Sequence, residues 1–372
     1  MSQPAFFAPL AKASREARVL TVKDGDATQP STTFTQPDRL DGAEVPAFVV
    51  ILRTRGCRWA LGGGCSFCGY VNDSFVRKIE GGELVEQFRN ALASYRGEPI
   101  LKIYTSGSFL DPYEVAEDAQ AAIVRLVPET VRKLNLESQA VDVTDVRVAA
   151  IAEAAAARDS ALSSPGPSEP RPQPMPRRLK VELGVGLESA SYDVARFSVN
   201  KEFFLRDYEA AAATAAPHGV TLKAYTMVKP PFLTEAESLD DCVNTARLAG
   251  PHSSTVSFNP MNIQKHTLVE RLWKRGQYRP PWLWTVVEVL RRARAVTSTP
   301  VKSDPVAGGK ARGAHNCGKC DDDVLRAIAA FNVLQDPAVF EGLDCACKDE
   351  WRDVLDLESF YQGPIPDPRD EE

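Results

Sequence analysis

Seven of the eight cysteines in this 372-residue chain fall into two tight groups, and Cys242 stands alone. The first group is Cys57, Cys65 and Cys68; the second is Cys317, Cys320, Cys345 and Cys347. A secreted disulfide framework belongs to a short, cysteine-dense chain. Here the chain is long and opens with no basic-then-apolar leader. Metal or cluster ligation is the better explanation for thiols packed in this way.

The first group reads Arg55-Gly-Cys57-Arg-Trp-Ala-Leu-Gly-Gly-Gly-Cys65-Ser-Phe67-Cys68-Gly69-Tyr70. Three thiolates on a glycine-rich loop can wrap one iron–sulfur cubane. Such clusters ordinarily take four cysteines, so three ligands leave one iron open to a substrate or cofactor. The alternatives are a zinc ion completed by His or Asp, and inert core thiols. Gly62-Gly63-Gly64 lets the loop fold back tightly enough to return Cys65 to the cluster.

The second group pairs Cys317-Gly-Lys-Cys320 with Cys345-Ala-Cys347 after twenty-four intervening residues. A two-residue knuckle followed by a second close pair is a tetrahedral zinc pattern. The one-residue gap at Cys345–Cys347 is tighter than usual, which makes His315 an alternate ligand. An auxiliary iron–sulfur cluster and unmetallated thiols are the other readings. Cys242 shares an apolar stripe with Leu239, Val243, Ala246 and Ala249 and is expected in the core.

The elements that position these groups alternate in period. Strands are expected at Val45–Thr54, Ile100–Ser106, Leu134–Gln139, Lys180–Ser189, Thr221–Lys229 and Thr255–Ile263, with helical spacing between them. Gly97 and Gly250 sit where helices stop. Six strands alternating with helices imply right-handed βαβ units and a parallel sheet. An α/β partial (βα)6 barrel fits, and a doubly wound open sheet is the alternative. Residues 1–44, rich in Thr, Gln, Ser and Pro, read as a loosely ordered arm. Residues 45–297 are the core, and 298–372 a small Cys-rich metal-binding extension. Residues 159–178 carry six prolines and read as a surface insertion, not a helix.

Apolar residues make up 44% and charged residues 25%, an ordinary soluble balance, and the net charge is -6. No apolar run is long enough to span a bilayer, so a cytoplasmic protein without membrane contact is expected. Within 271–320, however, eleven Lys or Arg face two acids. With Trp273, Tyr278, Trp282 and Trp284 interleaved, that stretch reads as a surface for RNA phosphates and bases. A solvated basic helix face is the plainer alternative.

Cys65-x-aromatic-Cys68 after a first strand resembles the second half of the radical S-adenosylmethionine (SAM) signature. The resemblance implies a [4Fe–4S] cluster on Cys57, Cys65 and Cys68, with SAM on the open iron as the source of a 5′-deoxyadenosyl radical. The departure is the first gap, seven residues where most of the superfamily has three. Carried over strand by strand, SAM contacts are expected from Phe67, from Gly107, Ser108 and Phe109 after the second strand, from Glu137 and Gln139, and from Glu188. The glutamate of the Gly-Gly-Glu-type motif is absent after Gly107, so only its backbone role carries over. Lys223, Tyr225, Lys229, Asn259, Asn262 and Gln264 face either substrate or solvent.

The string Leu268–Pro280, the long first gap and Asn72-Asp73-Ser74 are similar to the Elongator catalytic subunit and its relatives. Together with His315-Asn-Cys317-Gly-Lys-Cys320 and the later pair, the chain resembles the radical SAM subunits of archaeosine synthase. That resemblance implies a lyase acting on archaeal tRNA. It would cleave a carbon–nitrogen bond of a lysine-adducted 7-deazaguanine in the D-loop to give archaeosine. It also implies a partner subunit that transfers the lysine, an electron donor and a structural Zn2+. The residues that act directly in the chemistry are left unassigned, since cluster and SAM would carry it. The competing readings are another Elongator-like tRNA base modifier, and a non-catalytic zinc- and cluster-bearing tRNA-binding subunit.

Overall fold

A computed structural model describes residues 8–20, 25–163 and 178–360. Eight strands form one sheet in chain order: β1 (Thr32–Leu40), β2 (Ala43–Ile51), β3 (Ile100–Tyr104), β4 (Lys133–Ser138), β5 (Lys180–Glu188), β6 (Thr221–Val228), β7 (Thr255–Pro260) and β8 (Val301–Ser303). β1 runs antiparallel to β2, and every later neighbour is parallel. The helices are α1 (Ala8–Ala17), α2 (Arg58–Leu61), α3 (Gly81–Leu92), α4 (Glu117–Arg125), α5 (Asp145–Ser163), α6 (Leu205–Ala215), α7 (Glu235–Ala249), α8 (Leu268–Trp273), α9 (Leu283–Val296), α10 (Asp321–Leu334) and α11 (Cys347–Leu357).

The six expected strands are β2–β7. β1 lies inside the stretch expected to be a loosely ordered arm, which also holds α1. Its polar sequence hides a strand, but Asp41 and Gly42 both have positive φ and close a two-residue hairpin onto β2. β8, at the start of the terminal extension, adds a short last rung beside β7. The proline-rich insertion also begins later than expected. α5 continues through Ser163, because all six prolines follow it, and residues 164–177 lie outside the described residues.

Alternation along the strands sorts side chains between two interiors. In β3, Leu101 and Ile103 join the apolar core packed under the helices, while Lys102 and Tyr104 turn to the concave side. The sheet curls far enough to bring its ends together. Asp38 of β1 accepts from Lys302 of β8 at 2.9 Å and from Lys102 of β3 at 2.5 Å. α10 covers the seam, and Arg39 of β1 donates to the carbonyl of Val333 at 3.0 Å. The fold is therefore a partial barrel and not an open doubly wound sheet. Its interior is charged: Lys102, Asn135, Glu182, Lys223 and Lys302 are all buried, where such barrels ordinarily pack branched aliphatic residues.

Candidate functional site

The ends of the parallel strands surround a cavity of about 420 Å³, and Cys57, Cys65 and Cys68 share its wall. The lengthened first gap has a structural use. One turn of helix, α2, fills it, and Gly63 (φ 133) and Gly64 (φ 70) then reverse the chain. A Cβ on Gly64 would lie 2.7 Å from the Cα of Ala60, so the reversal needs glycine.

Two other loops staple this one in place. From the β5–α6 connection, Val199 accepts from the Ser66 amide at 2.9 Å, and Asn200 donates to the carbonyl of Gly64 at 2.8 Å. The Trp59 indole donates to the carbonyl of Asn200 at 2.9 Å. From the segment after β7, Gln264 accepts from the Gly69 amide at 2.5 Å and the carbonyl of Lys265 accepts from the Asn72 side chain at 2.9 Å. Nothing in the local spacing of these partners marks them, because each lies more than a hundred residues from the loop.

Burial lifts the Cys57 and Cys65 thiols to about 12 and Cys68 to about 11, and the three raise one another further. Lys201 opposes this at all three. Neighbouring thiols of this kind ionise together only around a positive centre, which is the donor set an iron–sulfur group takes.

The loop after β3 closes over Cys57. A Cβ on Gly107 would meet Cys57 Cβ at 2.7 Å and Sγ at 2.9 Å. The carboxylate that the sequence lacks immediately after Gly107 is supplied from further on by Glu114. Its oxygens accept from the amides of Ser106 at 2.9 Å, Gly107 at 3.2 Å and Ser108 at 2.7 Å, and from the Thr54 hydroxyl at 2.6 Å. Burial raises Glu114 to about 7, and these donors pull it down. A search for an acid within two helical turns of Ser108, instead of directly adjacent, would have found it.

The other expected contacts divide. Phe67, Gly107, Glu137, Gln139 and Glu188 line the cavity, as do Lys223, Tyr225, Asn259, Asn262 and Gln264. Gln139 donates to Cys57 Sγ at 3.2 Å. Glu188 pairs with Lys201 at 3.1 Å, a partner the sequence did not suggest. Ser108 and Phe109 do not join them. The Ser108 hydroxyl accepts from the Gln139 amide at 3.2 Å, and Phe109 is fully buried in the apolar core. Lys229 also turns away, into buried pairs with Glu235 and Glu358, each 2.9 Å long.

The second cysteine group assembles outside the barrel. The four sulfurs of Cys317, Cys320, Cys345 and Cys347 all lie within 4.8 Å of one another. Cys317–Cys345 and Cys320–Cys347 are each 3.7 Å apart. Asn316 donates to Cys320 Sγ at 3.3 Å and the Trp284 indole to Cys347 Sγ at 3.4 Å. His315, the alternate ligand, instead places Nδ1 2.7 Å from the carbonyl of Gly313. Cys242 is buried in α7, as expected, with its thiol against the carbonyl of Met227.

Burial corrects three of the four aromatics of the expected RNA surface, while Trp273 is half-buried under the Arg312 guanidinium. Tyr278, Trp282 and Trp284 are at most 6% exposed: the two tryptophans join the apolar core at the start of α9, and Tyr278 packs in a separate cluster with Phe67, Met227 and Met261. Arg279 is buried over the Trp282 ring, and Lys302 is buried inside the barrel beside Asp38. Arg271, Lys274, Arg275, Lys310 and Lys319 remain at the surface. No helix among the described residues is long and apolar enough to cross a membrane.

No family model matches the chain. It is 37% identical over 354 residues to archaeosine synthase subunit beta of Methanosarcina acetivorans, covering 94% of this chain and 96% of that protein. It is 33% identical over 333 residues to archaeosine synthase subunit beta of Thermococcus kodakarensis, covering 87% and 96%. Among solved structures, the archaeal Elp3 of Methanocaldococcus infernus aligns at 12% identity with a TM-score of 0.45, covering 70% of this chain and 59% of that one.

Proposed function

As a member of the archaeosine synthase subunit beta family, this chain is, we propose, the radical SAM lyase that frees archaeosine from a lysine-adducted 7-deazaguanine in tRNA. The observation that carries this reading is the convergence of Cys57, Cys65 and Cys68 on one cavity wall, beside the Gly107 loop. The three thiols would hold a [4Fe–4S] cluster. With SAM bound, that centre supplies a 5′-deoxyadenosyl radical.

The chain's own part is to hold, orient and enclose. With the amides of Ser106, Gly107 and Ser108 spent on Glu114, the loop is suited to a cationic amino group and not to an anion. Gln139 and the loops from β5 and β7 fix the cysteine loop, and the curled sheet walls the space beneath it. A radical needs such enclosure and close approach more than a tuned base. The bond broken would join the formamidine nitrogen to the side-chain carbon of the lysine. The nitrogen therefore stays on the base, and the remaining carbon skeleton, with its α-amino acid head, leaves as a separate product.

The four terminal thiols would hold a single zinc ion. A tetrahedron of Zn–S bonds near 2.3 Å has edges of about 3.8 Å; two of the sulfur pairs are 3.7 Å apart and all lie within 4.8 Å. A cubane binds its thiolates on different irons and would spread them wider. Partnership with a second archaeosine synthase subunit and an electron donor, and a place in the cytoplasm, belong to the same reading.

The test is anaerobic reconstitution, reduction and addition of SAM. Release of 5′-deoxyadenosine, with archaeosine formed from lysine-adducted but not unmodified tRNA, supports the reading. Iron content and SAM cleavage that survive Cys65→Ala would remove it.

A further inference from the structure

Beneath the thiols, two titratable groups face the cavity without an ion-pair partner. Glu137 of β4 and Lys223 of β6 lie on one register row, each opposite Gly184 of the intervening β5. Both line the cavity. Among the described residues neither makes an ion pair or a side-chain hydrogen bond, and they stand too far apart to pair with each other. The nearest contact of the Lys223 ammonium is the Tyr225 ring, 4.7 Å away at its centroid. That ring lies over Gly184, where a Cβ would come within 2.7 Å of it. Its hydroxyl sits beside that of Tyr104 and makes no well-formed hydrogen bond.

The counter-charges nearby are already committed. Asp38 serves Lys102 and Lys302, and Glu182 serves Lys133, Asn135 and Ser254. Burial, with Lys302 and Lys102, pushes Lys223 down to about 7, while burial, opposed most by the more distant charge of Lys223, pushes Glu137 up to about 8. An outside charge of opposite sign favours the charged form of each. Both groups therefore gain when an outside charge arrives. A simple anion drawn to Lys223 would meet Glu137, and a simple cation drawn to Glu137 would meet Lys223. A ligand carrying both charges satisfies both. Strand spacing sets the backbones of β4 and β6 roughly 10 Å apart, and Glu137 roughly 7 Å below Gln139, which touches Cys57.

We propose that Glu137 and Lys223 form a subsite for the charged head of an α-amino acid, its ammonium to Glu137 and its carboxylate to Lys223. This rests on the reading above, in which an amino acid is the portion detached from the substrate. The head group would anchor in the barrel interior and leave the side-chain carbons extended upward toward the cluster loop. Recognition of the detached portion is thereby separate from recognition of the tRNA.

Calorimetry on the reconstituted protein tests this with three probes: L-lysine, 1,5-diaminopentane (no carboxylate) and 6-aminohexanoate (no α-ammonium). Lysine should bind roughly ten- to a hundredfold more tightly than either, the loss expected when a buried charge is left unmatched. In Lys223→Met the preference over diaminopentane should vanish, and in Glu137→Gln the preference over aminohexanoate. Equal binding of all three by the unaltered protein, no binding of lysine, or preferences that survive the substitutions would overturn the proposal. A general loss of folding is detected by the melting temperature, and the paired ratios read the subsite in variants that keep it. Turnover of lysine-adducted tRNA is scored separately. If lysine binds as described but that tRNA yields no archaeosine, the subsite stands and the reaction assigned above falls.

Discussion

The ammonium of Lys229, at the end of β6, lies 2.9 Å from the carboxylate of Glu358, which follows α11. The two residues are 129 positions apart, and the same ammonium also reaches Glu235 at 2.9 Å. The four-cysteine site fixes the start of α11, and Glu358 locks its end to the rim of the barrel. The terminal extension is thus tied to the end of β6 from outside the cavity.

Removing Lys229 strands two buried carboxylates, whereas removing Glu358 leaves one pair intact. Lys229→Met should cost about 3–5 kcal/mol of stability and Glu358→Gln about 1–2 kcal/mol. Urea denaturation measures both, and equal losses would argue against a shared buried network.

Glu114 holds three successive amides and a hydroxyl, and an amide side chain offers a single acceptor oxygen in its place. Glu114→Gln should therefore loosen the loop over Cys57 and raise the KM for SAM about tenfold, the equivalent of one charge-assisted hydrogen bond. Iron content should change little, since no thiol is altered. An unchanged KM would show that the loop keeps its shape without the carboxylate.

Stripping metal from the terminal cysteines should release α10 and α11 from α9. Elemental analysis should find one zinc per chain beyond the iron. A chelator that removes it should lower the melting temperature by roughly 10 °C or more, since such sites contribute folding energy directly. Trp284→Phe keeps the packing and removes the N–H from Cys347, so zinc should be held about tenfold more weakly. Full iron occupancy of this site with no zinc would refute the single-ion arrangement.

Asp241 gives a pH test. Burial raises its carboxyl to about 6, with the Ser189 hydroxyl pulling the other way. Ionisation is therefore harder in the folded chain than in the unfolded one, and it destabilises the fold. The cost is absent below about pH 4, grows toward pH 6 and is constant above it. Asp241→Asn should stabilise the protein by about 2–3 kcal/mol at pH 7.5 and leave it unchanged at pH 4. Melting curves at the two pH values check the sign.

Charge reversal on and just after α8 addresses RNA. Arg271→Glu with Arg275→Glu should weaken tRNA binding and reduce its salt dependence by about one unit for each phosphate no longer neutralised. Trp282→Ala should instead act on stability, because its ring is core. Binding that ignores the charge reversal would place the nucleic acid on another face.

Chemistry that depends on neighbours in the chain could be read from the sequence. Cys57, Cys65 and Cys68 share one loop, and Cys317, Cys320, Cys345 and Cys347 form two short pairs, so spacing alone announced both groups. β2–β7 were equally plain, because the face of each strand packed under the helices is apolar and recurs with the period of a strand. What tertiary structure decided were relations across the curl of the sheet. They include the seam that joins Asp38 to Lys302, the staples from Asn200 and Gln264, the unpaired row of Glu137 and Lys223, and the burial of Trp282 and Trp284. The physical reason is that a charge or an aromatic ring has no fixed meaning until its surroundings are set. The same lysine is a solvated surface group, half of a buried pair or an unmet cation according to which distant strand the fold brings beside it.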